Sequence, residues 1–196
     1  MSRPGLLRTG ATFAGVFMVA LGSAAAAEPS AHLEVGYGVS TVLDLPSAST
    51  SALSACAGIG FSAHPVRVAL ELATTGSADM NMRIPESPTP GQRTLTTFLI
   101  GFEAVEGAHT RGPFAVAGVG IGHATLTGAE PGMLPAPGPP IPDRSLTDLA
   151  IGASLGWRST GGPGPLGFQL ALRYHAVVHG GAVAASATAV TLGLAY

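Results

Sequence analysis

The stretch Asp148-Leu149-Ala150-Ile151-Gly152-Ala153-Ser154-Leu155-Gly156-Trp157-Arg158 decides how this chain is read. Leu149, Ile151, Ala153, Leu155 and Trp157 share one parity. Asp148, Gly152, Ser154, Gly156 and Arg158 share the other. Successive side chains of a strand point to opposite faces, so the segment has one apolar face and one small or polar face. A tilted strand needs about 9–11 residues to cross a bilayer, and this segment is long enough. Taken alone it equally fits a half-buried strand of a soluble protein.

The specificity comes from repetition. Segments 33–40, 53–62, 66–73, 97–103, 115–122, 166–175 and 189–196 repeat the pattern, which makes eight strands in all. Leu95 and Leu99 blur the inner parity of the fourth, and Phe114 and Val116 that of the fifth. The connections 44–52, 75–93, 127–145 and 180–185 fall on one side, and 64–65, 107–112 and 160–165 on the other. Membrane barrels have an even strand count, short turns at one end and longer external loops at the other. The fold expected is an all-β, eight-stranded, antiparallel, up-and-down transmembrane β-barrel. With both termini periplasmic, the first group of connections is external.

Two distributions agree with this topology. Phe61, Phe102, Trp157, Phe168 and Tyr196 have outward parity and cluster at the strand ends on the periplasmic side. Aromatic rings concentrate at membrane–water interfaces, so these five form an expected periplasmic girdle. Glu34, Arg67, Glu71, Glu103, Asp148, Arg158, Gln169, Arg173 and His175 all have inward parity. Charge on the lipid face costs about 2–4 kcal/mol at mid-membrane. Buried charges must pair and hydrogen-bond. Glu34, Arg67, Glu71, Glu103, Asp148, Arg158 and Arg173 are therefore expected to form an interior ion-pair network. The many inward glycines leave room for water-filled pockets or a narrow conduit as an alternative.

Residues 1–27 read as a secretory signal peptide: Arg3 and Arg8, an apolar run from Ala11 to Leu21, then Ala25-Ala26-Ala27 before Glu28. The expected order is a signal peptide over 1–27, cleaved near Ala27 after Sec export, and an outer-membrane barrel over 28–196. Beyond the signal no apolar run reaches the ~18 residues of a membrane helix. Every basic residue is Arg and the mature chain is mildly acidic, so no nucleic-acid partner is expected. Cys56 is the only cysteine, which excludes an intrachain disulfide. It is read as a small inward-facing residue.

No catalytic or ligand motif accompanies the barrel. The lipid A deacylase barrels carry a His-x-Ser pair, and the nearest match here is His123-Ala124-Thr125. His32, His64, His109, His123, His175 and His179 show no metal-ligand spacing. Neither an enzyme nor a cofactor or metal is expected.

The chain resembles the small eight-stranded outer-membrane barrel family, of the OmpA transmembrane domain and OmpX type. The resemblance rests on the strand count, the loop alternation, the charged interior and the ending Val190-Thr191-Leu192-Gly193-Leu194-Ala195-Tyr196. That ending is similar to the signal by which the barrel-assembly machinery recognises such proteins, with Tyr196 where the family usually has Phe. The resemblance implies an outer-membrane location, lipid as the surrounding partner, and a structural or surface-interaction role carried by the external loops. A lipid-modifying barrel enzyme and a secreted lipocalin-like ligand carrier are the alternatives, since a shared fold does not fix activity.

Overall fold

A computed structural model of the protein describes residues 28–42, 50–63, 66–77, 91–104, 112–128, 142–160 and 166–196. The signal peptide and the greater part of the connections expected to be external lie outside the described residues. So does the 64–65 turn.

Eight strands form one closed antiparallel barrel in chain order: β1 Glu28–Val42, β2 Thr50–Ala63, β3 Val66–Ser77, β4 Gln92–Ala104, β5 Gly112–Thr127, β6 Arg144–Thr160, β7 Gly167–His179 and β8 Ala182–Ala195. β1 closes on β8 with Leu33 opposite Leu194 and Val39 opposite Thr188. The start of β1 and the end of β8 therefore share one end of the barrel. Closure leaves no unpaired edge, the condition a sheet must meet in lipid. Among the described residues no helix is long and apolar enough to cross a membrane.

The alternation read from the sequence maps onto the two faces. Leu33, Val35, Ile59, Ile121, Leu155, Leu170 and Leu192 project outward and are exposed. Glu34, Arg67, Glu71, Glu103, Arg158 and Arg173 project inward and are buried. This is the reverse of a soluble ligand-carrying barrel, whose exterior is polar and lumen apolar. Phe61, Phe102, Trp157, Phe168 and Tyr196 lie on the outer face near the strand ends that share the termini's side.

The last connection departs from the expected 180–185 loop. β7 and β8 meet in a two-residue turn, Gly180-Gly181, with φ of 59° and 84°. Positive φ at both central residues matches the twist of a tight hairpin, and glycine adopts it without strain. A bulge at Val177/Val178 adjusts the register just before the turn.

Inward glycines do not leave pockets where they face large side chains. A Cβ on Gly58 would lie 2.3 Å from His32 Cε1, and one on Gly152 would lie 2.4 Å from Leu99 Cδ1. Each glycine makes room for a bulky partner from another strand. That is how an eight-stranded lumen, barely wide enough for side chains, becomes filled.

Candidate functional site: a closed interior and an outward polar rim

All eight strands build the interior, which has two layers. The layer toward the termini is ionic. Arg67 on β3 donates from Nη1 to Glu103 Oε2 at 2.9 Å and from Nε to Ser30 Oγ at 2.9 Å. Arg158 on β6 donates to both oxygens of Glu103, at 3.1 and 3.3 Å, and from Nε to Gln169 Oε1 at 2.7 Å. Its guanidinium also lies 4.4 Å from the centre of the Phe114 ring, a cation–π contact. Gln169 passes the chain on by donating from Nε2 to Glu34 Oε1.

Arg173 on β7 is the hub. Its Nε donates to Glu34 Oε2 at 2.7 Å and its Nη2 to Glu34 Oε1. Its Nη1 reaches Glu71 Oε2 at 3.2 Å and Ser154 Oγ at 3.1 Å. Thr191 on β8 also donates its hydroxyl to Glu34. The bidentate Arg–carboxylate pairing is the strong form of a charge-assisted bond. His32 packs against this hub, with Nε2 3.7 Å from Glu71 Oε1 and 3.8 Å from Cys56 Sγ. Arg67, Arg158 and Arg173 are matched by Glu34, Glu71 and Glu103, three against three.

Above this layer His175 Nδ1 and Thr97 Oγ1 are 2.9 Å apart. Higher still the lining is mixed, with Ser40 on β1, Thr75 and Ser77 on β3 and Arg93 on β4 buried beside apolar side chains. Leu95, Ala124, Leu126, Val177, Ala185 and Ala187 form a buried cluster, with Leu146 packed against it. Leu95, which blurs the strand pattern in sequence, is part of this plug. Leu99, which blurs it likewise, is buried beside Gly152.

Asp148 is a correction to the expected network. It has inward parity but sits at the rim opposite the termini, where its Oδ2 is 2.6 Å from Nδ1 of His179. Its side chain is 36 % exposed and that of His179 64 %, so the pair is solvated and separate from the ionic layer. Parity told which way Asp148 points but not how high in the barrel it stands. Sequence reasoning missed Arg93, which lies within the expected 75–93 loop but is buried on β4. It also missed Phe114 as the seat of Arg158, and His32, which precedes the first clean alternation. The signal available was their parity once the strands are extended by one residue, or by four for Arg93.

On the outer face, His123 Nδ1 lies 2.7 Å from Thr147 Oγ1 on β6. Thr125, the residue of the His-x-Thr triplet, is not its partner. Among the described residues no three of His, Cys, Asp and Glu come together as a metal-binding group.

No protein-family model and no curated protein sequence matches the chain. Solved structures do. Neisserial surface protein A (NspA) superimposes with a TM-score of 0.58 at 13 % identity, covering 86 % of this chain and 97 % of that one. Ail, the attachment invasion locus protein of Yersinia pestis, superimposes with a TM-score of 0.51 at 17 % identity, covering 86 % and 98 %. At such identities the likeness concerns the fold. With its closed eight-stranded sheet, apolar exterior and ionic lumen, the chain has the fold of the small outer-membrane β-barrels.

Proposed function

We propose that this is a non-enzymatic outer-membrane barrel whose interior is structural and whose activity is surface interaction, carried by the connections at the rim opposite the termini. The observation that carries this reading is the packing of side chains across the lumen. An ionic layer joined across the barrel lies under an apolar plug of Leu95, Leu126 and Val177. A polar conduit needs a continuous hydrated path, and the packed side chains of both layers support reading the interior as structural. Chemistry with a partner is then left to the rim, where loops on a rigid scaffold characteristically carry binding. The connections 75–93 and 127–145 are rich in Pro, Gly and Ser. The names of the two similar structures, a surface protein and an attachment invasion locus protein, point the same way.

Two measurements test it together. Cells displaying the protein should adhere to matrix-protein and cell surfaces, and cells displaying a form shortened in 78–90 and 129–141 should not. The wild-type protein inserted in planar bilayers should carry no steady current. Steady ohmic conductance, or adherence indifferent to the loops, would overturn the reading.

A further inference from the structure

Just above the apolar belt, the outer face of four adjacent strands changes character within one residue pair. Leu72, Phe98, Ile121 and Leu149 form one outward row, each opposite the next across β3, β4, β5 and β6. The next outward row is Thr74, Thr96, His123 and Thr147, again each opposite the next. The row beyond it is Gly76, Thr94, Thr125 and Ser145. Apart from one glycine, these two rows hold only hydroxyls and one imidazole.

The ledge is arranged rather than scattered. Thr74 Oγ1 lies 3.2 Å from Thr96 Oγ1, and His123 Nδ1 lies 2.7 Å from Thr147 Oγ1. Both pairs are exposed, and each keeps donor and acceptor capacity beyond its own hydrogen bond. On the other side of the rim β7 and β8 carry Val178 and Val183 beside the Gly180-Gly181 turn, and a separate exposed hydroxyl pair, Thr41 Oγ1 and Ser186 Oγ at 2.7 Å, joins β1 and β8 away from the ledge.

We propose, building on the outer-membrane reading above, that this ledge binds the sugar headgroups of glycolipids in the leaflet surrounding that rim. Continuity with the lipid-facing belt makes the occupant a lipid headgroup, since acyl chains packed on Phe98, Ile121 and Leu149 place their heads against Thr96, His123 and Thr147. The chemistry selects a sugar over a phosphate. Phosphate recognition uses Arg or Lys. The two rows contain no Arg, and the chain contains no Lys. Neighbouring hydroxyls and an imidazole, each both donor and acceptor, match vicinal sugar hydroxyls.

The full chain, refolded into phosphatidylcholine nanodiscs doped with either digalactosyl diacylglycerol or phosphatidylglycerol, tests this by native mass spectrometry of the lipids it retains. Digalactosyl diacylglycerol should be retained about fivefold over phosphatidylcholine, the effect of roughly one net hydrogen bond, with no preference for phosphatidylglycerol. The triple variant Thr96→Val, His123→Phe, Thr147→Val should lose the preference while keeping the heat-dependent gel mobility of a folded barrel. Thr147→Val alone, which preserves side-chain shape, should lower it about twofold. Ser186→Ala, on β8, should leave it intact. Equal retention of all lipids, a preference for phosphatidylglycerol, or an undiminished preference in the folded variants would overturn the proposal.

Discussion

Arg173 on β7 and Glu71 on β3 meet across the lumen, Nη1 to Oε2 at 3.2 Å. In an eight-stranded barrel closed in chain order, β3 and β7 face each other. The guanidinium therefore occupies the middle of the lumen at that height. The same Arg173 grips Glu34 on β1 with two further nitrogens, so one side chain ties three strands of which no two are neighbours in the sheet. Two charges taken out of water need excellent geometry and saturated hydrogen bonding to break even. Glu34 receives bonds from Arg173, Gln169 and Thr191, which supplies both.

Arg173→Met should therefore be among the most destabilising single changes in the barrel. It leaves Glu34 and Glu71 buried without their cation, a loss of about 3–5 kcal/mol. Arg144→Met, at an exposed rim position, should shift the urea midpoint little. Combining Arg173→Met with Glu71→Gln should cost less than the sum of the two, since residues in one network do not act independently. Equal midpoints for Arg173→Met and Arg144→Met would mean that Arg173 faces water.

The last strand offers a sharper test, in which the contacts reverse what parity alone expects. Parity puts Leu192 in lipid and Thr191 in the lumen, which makes an acid at Thr191 look the milder change. In the structure Thr191 is fully buried and its hydroxyl donates to Glu34. Thr191→Asp sets a second carboxylate against Glu34, and like charges at such a distance cannot both ionise cheaply. We expect Thr191→Asp and Leu192→Asp both to abolish most refolding into detergent micelles. Glu34→Gln should restore yield to the Thr191→Asp variant and leave Leu192→Asp unrescued, because only the first defect is electrostatic. Failure of that selective rescue would place Thr191 away from Glu34.

The fold was legible because period-two alternation is a property of each strand by itself. Leu149 to Trp157 declares its two faces without reference to any neighbour. The direction of Asp148 was legible for the same reason. Its height was not, because height depends on where the apolar belt ends on the adjacent strands. The interior was legible as a list of charged residues but not as two layers. Leu95 and Leu99 blur the alternation of β4 in sequence because an apolar residue at an inward position breaks the pattern. Only the closed barrel shows Leu95 and Leu126 meeting from different strands as a plug. The turn at Gly180-Gly181 was present in the letters, yet the small residues after it, Ala182 to Ala185, read as loop rather than strand.

Gly58 and His32 supply a packing test independent of charge. A Cβ on Gly58 falls 2.3 Å from His32 Cε1, closer than real contacts allow. His32 is held from several sides by Cys56, Glu71 and Arg173, so it has little freedom to withdraw. Gly58→Ala should cost about 1–3 kcal/mol, the usual range for overpacking a filled interior. Adding His32→Ala should recover part of that loss, since the clash disappears. A double variant less stable than both single variants would show that the two residues are not in contact.

The connections at the far rim should be separable from the barrel. The two longest leave the sheet after Ser77 and Thr127 and return at Gln92 and Arg144. Replacing 129–141 by a tight turn should leave the unheated gel mobility and the urea midpoint unchanged, because lengthening or shortening a surface loop changes closure entropy by only about 0.6 kcal/mol per doubling. The same loop reports the orientation of the protein. Trypsin added to intact cells should cut after Arg144, which is exposed at the start of β6, and should spare Arg111, which the sequence places between β4 and β5. Cleavage at Arg111 with protection of Arg144 would invert the topology and move the proposed sugar-binding ledge to the periplasmic leaflet. Protection of both until the outer membrane is breached would instead mean that the loop folds over the rim, and the adherence assay would then have to be read against a covered surface.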